Sequence, residues 1–186
     1  MPATPSLDPP AASHPSAATH LPAVVGVAGG VGTSTVAAAL GGRDLGVFTG
    51  RPADVVVCRA TVASVLAAGR VAALCTRPVV AVTAVDTGKL SAALRSRLAL
   101  LEPHTAAVVT LPWVPQWRDL VDPIQELRDQ LHRAGKLSRP VAGYLAALTA
   151  ISGALRSGLR SPAAPGRPDP SPPMSERVVS GRAARA

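Results

Sequence analysis

The chain has 186 residues, 47% of them apolar, which is enough for one domain with a hydrophobic core. Aromatic residues make up 2%, so that core is built from Ala, Val and Leu. The longest uncharged apolar run, Val141 to Leu155, falls short of the ~20 residues that span a bilayer, which excludes a transmembrane helix.

The formal charge of +8 is spread along the chain, with no dense block of basic residues. Only Lys89 and Lys136 are lysines; the other basic residues are arginines, a balance that suits a GC-rich coding bias as well as a nucleic-acid partner. Cys58 and Cys75 have neither a CxxC nor a metal-ligand spacing, and are expected as reduced thiols. The first residues carry no charged segment followed by an apolar one, so the expected location is cytoplasmic.

Residues 1–20 are rich in Pro, Ala, Ser and Thr and are expected to be a disordered tail, as are residues 159–186 with their prolines and arginines. Between them, over 21–158, short apolar runs alternate with helical patterns. Ala23–Ala28 reads as a strand and Ser34–Leu40 as a helix stopped by Gly41 and Gly42. Leu45–Thr49 is a short second strand. Ala53–Cys58 is a third, apolar on both faces as a buried parallel strand is. Val62–Leu74 predicts a helix and Pro78–Val85 a fourth strand. In Leu90–Leu101, leucines 90, 94, 98 and 101 share one helical face. Ala106–Leu111 is a fifth strand, and Pro123–Ala134 and Pro140–Leu155 are the last helices. The expected fold class is α/β, a parallel sheet of about five strands flanked by helices. Such sheets bind ligands beyond the carboxyl ends of their strands, where the loops after each strand gather.

The loop after the first strand is the most informative stretch: Gly26-Val27-Ala28-Gly29-Gly30-Val31-Gly32-Thr33-Ser34-Thr35. Closely spaced glycines between a strand and a helix let the backbone turn tightly and aim N–H groups at an anion. Ser34 or Thr35 has a hydroxyl to offer Mg²⁺, and Thr33 and Ser34 equally suit helix caps.

This loop resembles the deviant Walker A loop of the ParA/MinD family of P-loop ATPases. Gly29, Gly30 and Gly32 match its glycines. Ser34 falls on its magnesium-coordinating hydroxyl and Thr35 on the hydroxyl after it. Ala28 replaces the signature lysine, and Thr33 replaces the phosphate-binding lysine. The carboxylates that the family places at strand ends are missing too. Leu45–Thr49 ends without an Asp, Cys58 and Arg59 stand where the Walker B acid belongs, and Asp44 and Asp54 precede their strands.

The resemblance implies a P-loop-like domain with ATP or ADP and magnesium as cofactors, and a homodimer as one assembly. The missing lysines and acids imply lost catalysis, since electrostatic contacts of this kind are each worth roughly 3–4 kcal/mol to a transition state. The expected function is regulatory or partner-binding, with nucleotide held weakly or not at all and a protein as the partner. The alternatives are an active ATPase in which Arg59 or Lys89 supplies the missing charge, and a DNA-associated accessory protein using its basic C-terminal tail. Trp113 is a candidate to stack on a base. Trp113, Trp117 and Arg118 together are a candidate partner surface, and packing of the last helix is the other role for the tryptophans. Val141–Leu155 suits either a buried terminal helix or a membrane-surface helix. The four histidines show no metal spacing or catalytic triad.

Overall fold

Valine recurs at consecutive positions of the inner strands, and its branched side chain suits a pleated surface that is covered on both sides. The computed structural model describes residues 20–132 and 136–160. Its elements are β1 (Ala23–Gly26), α1 (Thr33–Leu40), β2 (Arg43–Val47), β3 (Val55–Arg59), α2 (Val62–Ala72), β4 (Val79–Thr83), α3 (Ala92–Leu101), β5 (Ala107–Leu111), α4 (Pro123–His132) and α5 (Arg139–Arg160). Single 3-10 turns lie at Glu102–His104 and Pro115–Asp119. The tails expected at 1–20 and 159–186 lie almost wholly outside the described residues, and α5 continues to Arg160.

The strands form one parallel sheet in the order β2-β1-β3-β4-β5. Alternate residues serve opposite faces. Val24, Val55, Val57, Val79 and Ala81 pack with Val36 and Ala37 of α1, Leu127 of α4 and the inner face of α5. Val25, Val56, Cys58, Val80 and Val82 pack with Val65, Ala68 and Val71 of α2 and Leu94 and Leu98 of α3. Complete burial of one such side chain is worth about 1.5–3 kcal/mol, so both faces of β3 and β4 are strong constraints on register. Gly69 lies where α2 meets α3; a Cβ there would come within 3.1 Å of Leu101 Cδ2.

Helix α5 buries Val141, Tyr144, Leu148 and Ile151 against the sheet. The terminal stretch is therefore part of the core, and no described helix is long and apolar enough to cross a membrane.

One connection contains no helix, as the short gap between the second and third expected strands requires. Residues 48–54 carry the chain from the end of β2 back across β1 to the start of β3 with no helix. The return runs along a five-residue strand and over two strand spacings, about 20 Å in all. Extended backbone between residues 47 and 55 reaches about 26 Å, so the crossing is feasible only for a nearly straight path. Phe48 and Ala53 pin that path to the α2–α3 side of the sheet. The second strand is also shifted from its expected position, so that Asp44 lies inside β2, its carboxylate accepting from Gly46 N at 2.8 Å. Asp54 accepts from Ala23 N at 2.7 Å and so ties the start of β1 to the approach to β3. Both acids thus serve the backbone.

Cys58 is fully buried in β3, and burial pushes its thiol up to about 12. Burial both disfavours the thiolate and excludes reagents, so the group is inert in the folded state. A thiol reagent at pH 8 should modify one cysteine in the native protein, the half-buried Cys75, and two after unfolding. Rapid native modification of both would contradict the packing of β3.

Candidate functional site

The chain leaves β1 for β2 on one side and then returns to β3 on the other, so the loops after β1 and β3 diverge onto opposite faces. In parallel sheets of this order, that divergence opens a crevice at the carboxyl ends of the strands. A cleft of about 370 Å³ lies there. It is lined by Gly30, Val31, Gly32 and Thr35 of the glycine loop and α1, by Arg59, and by Thr83, Ala84 and Val85 after β4. Leu111 to Val114, Trp117, Arg118 and Tyr144 complete it.

The glycine loop holds its shape through neighbours. Gly30 and Gly32 have φ of 69° and 95°, a region that side chains disfavour. The carbonyl of Gly30 accepts from Arg59 Nη2 at 2.8 Å and from Nε at 3.3 Å. Thr83 Oγ1 lies 3.1 Å from both the Val31 and the Cys58 carbonyl, so one hydroxyl proton is shared between the loop and β3. Val31 itself is buried and anchors the loop to the core. Gly29, by contrast, has open space around it.

Thr33 occupies the lysine position of the resemblance and turns its side chain back beneath the loop. A Cβ on Gly26 would lie far inside contact distance of Thr33 Oγ1 and 2.9 Å from Val31 Cγ2. Gly26, Val31 and Thr33 thus form a closed stack under the turn. Thr33 is absent from the cleft lining, as are Gly29 and Ser34. Ser34, the expected magnesium ligand, is exposed on α1, and Thr35 supplies the α1 hydroxyl in the lining. Gly32 caps α1 without a side-chain hydrogen bond, and the first turn contains no acid. The first N–H groups of α1 therefore carry the partial positive charge of an uncapped helix start.

Of the expected site residues, the cleft brings together Gly30, Gly32, Thr35, Arg59 and Trp113. Lys89 is exposed and lies outside the lining. The two tryptophans divide their expected roles. Trp117 packs edge-on against Tyr144 of α5, with ring centroids 4.6 Å apart, and joins the core. Its buried Nε1 has no hydrogen-bond partner among the described residues. Trp113 lines the cleft half-buried, with the Arg118 guanidinium 5.9 Å from its ring centre. An exposed cation–π contact of this kind is worth about 0.5–1 kcal/mol, less than the 1.5–3 kcal/mol of a hydrogen bond to a charged group. Thr83 was not singled out by the sequence pattern; its signal is the lone hydroxyl within the apolar run 78–85.

Charge in the cleft is of one sign. Two guanidinium groups line it, and no carboxylate does. Asp86, just beyond β4, is exposed and its carboxylate accepts from Gly88 N at 2.7 Å within its own loop. Among the described residues no group of His, Cys, Asp and Glu is arranged to hold a metal ion.

No family model, curated protein or solved structure matches the chain.

Gly26→Ala should destabilise the protein by about 1–3 kcal/mol, the usual cost of overpacking. Thr33→Ala removes one of the clashing atoms, so the double variant should recover at least ~0.5 kcal/mol relative to the sum of the single changes. Urea unfolding of the four proteins measures this coupling. Strict additivity would show that Thr33 does not fill the space beneath the loop.

Proposed function

We propose that the chain is a degenerate P-loop-type protein of the ParA/MinD kind, regulatory or partner-binding, whose cleft holds nucleotide weakly and does not hydrolyse it. One observation carries this reading. The glycine loop keeps a conformation suited to an anion, while the position of its lysine is a threonine folded beneath the turn and the strand end expected to bear an acid bears Arg59.

A nucleotide fits the residues present. The volume is within the usual range for small-molecule clefts, the lining offers two guanidinium groups for phosphate, and Trp113 offers a ring face for a base. The first-turn N–H groups of α1 add favourable potential for the same charge. Magnesium does not fit. It is bound through carboxylates or hydroxyls together with substrate phosphates, and the lining contributes the hydroxyls of Thr35, Tyr144 and Thr83, the last already bonded to two carbonyls, and no carboxylate. Hydrolysis would also need a group to orient the attacking water and cations to follow the charge of the transferring phosphoryl. No acid lines the cleft to do the first, and the guanidinium of Arg59 is engaged by a loop carbonyl. Binding and orientation by Arg59, Thr35 and Trp113 therefore remain without a chemical step.

Isothermal titration with nucleotide should give a Kd on the order of 0.1 mM or weaker, about −5.5 kcal/mol or less in magnitude. Phosphate release from Mg-ATP should match that of Gly32→Val, a variant strained at φ 95° and checked for folding by circular dichroism. Release that Gly32→Val abolishes in a folded protein would establish a working ATPase and overturn the proposal.

A further inference from the structure

We infer that the cleft binds its nucleoside phosphate free of divalent metal, with the phosphate held between the guanidinium groups of Arg59 and Arg118. The inference rests on the nucleotide reading of the same cleft and adds the ionic form of the ligand and a residue that the glycine loop does not contain.

Arg59 and Arg118 reach the cleft from different parts of the fold, the end of β3 and the 3-10 turn after β5. Neither has a carboxylate partner among the described residues. A guanidinium carries five N–H donors, and Arg59 spends two of them on one carbonyl oxygen, which neutralises no charge. Its remaining donors are open to an anion, while the bond to Gly30 fixes the plane of the group. Among the described residues, the Arg118 guanidinium makes only the contact with the Trp113 ring. That contact leaves its N–H edge unengaged and places a cation beside the surface on which a base would lie.

The lack of a carboxylate in the lining favours the metal-free form. A phosphate carrying bound Mg²⁺ brings two positive charges into a cleft that already has two uncompensated cations and no acid to offset them. A metal-free phosphate brings negative charge alone and pairs with both guanidinium groups. The volume of about 370 Å³ is near the lower end for ligand clefts, which favours a compact nucleoside mono- or diphosphate.

The protein carries its own probe, because both of its tryptophans line the cleft. Titrations with ADP and AMP, followed by tryptophan fluorescence on the full chain, should be run in EDTA and in excess Mg²⁺. Adenosine and inorganic phosphate serve as the separate halves of the ligand. ADP in EDTA should bind at least as tightly as ADP in Mg²⁺, and more tightly than either half. Arg59→Gln and Arg118→Gln should each weaken ADP about tenfold to a hundredfold and leave adenosine unchanged. Arg118→Gln sits on an exposed side chain, so its folding is the safer of the two. Tightening by Mg²⁺ of tenfold or more, an unchanged affinity in Arg118→Gln, or no fluorescence response to ADP would each overturn the inference. Phosphate release, measured in the same samples with ATP, separates the two levels of the reading. Turnover sinks the proposed function, whereas Mg²⁺ dependence without turnover sinks only the inference.

Discussion

The glycine loop owes its shape to a pair of side chains that reach it from the next two strands. Arg59 holds the Gly30 carbonyl and Thr83 holds the Val31 carbonyl. These bonds join β1, β3 and β4 at the carboxyl edge of the sheet, where the parallel ladder has ended and backbone groups would otherwise face water. A loop with two residues at positive φ has many alternatives in the unfolded chain, and ordering it costs roughly 1–2 kcal/mol per residue. Two side-chain hydrogen bonds, one of them charge-assisted, offset only part of that. The buried Val31 and the stack of Thr33 on Gly26 supply the remainder through packing. The turn is thus held by contacts within the protein.

The glycine loop itself carries no basic residue. A lysine in such a loop is a point charge on a flexible stem, directed at phosphate. Thr33 is short and β-branched, and its hydroxyl lies beneath the turn against Gly26. The positive charge at the cleft comes instead from Arg59, a planar group held by a backbone carbonyl from the loop it faces. An acid at that strand end would confront the Gly30 oxygen with another acceptor and open the loop. Arg59, at the strand end where the resemblance expects an acid, is thus the residue that keeps the turn closed.

Much of the sheet was legible because its strands are buried on both faces and composed of β-branched residues; Ala53–Cys58 and Pro78–Val85 locate β3 and β4 within two residues. The regular leucine spacing of 90–101 located α3 equally well, with Leu94 and Leu98 buried as that spacing requires. The second strand was displaced by two residues because it is an edge strand, exposed along most of its length, where hydrophobic pattern carries little register information. That no helix lies between β2 and β3 was legible from the three residues left between the expected strands, but the crossing over β1 was not, because it is held by the non-local contacts of Phe48, Ala53 and Asp54. At the site, the glycines and Arg59 were readable from their spacing after apolar runs. Thr83 and Tyr144 were not, because their roles arise from contacts 52 residues apart in one case and across the α5–Trp117 interface in the other.

The direction in which Asp54 and Arg59 lie along one strand states the electrostatic character of the whole domain. Asp54 precedes β3 and is consumed by the N–H of Ala23, at the amino edge of the sheet. Arg59 ends β3 at the carboxyl edge, beside the uncapped start of α1. Five residues separate them, so the strand holds its acid and its base about 17 Å apart. That is roughly two Debye lengths at physiological salt, and neither charge compensates the other. The cleft at the carboxyl edge is lined by cations and helix-start N–H groups, with no carboxylate in its lining. Its lining accordingly attracts negative charge.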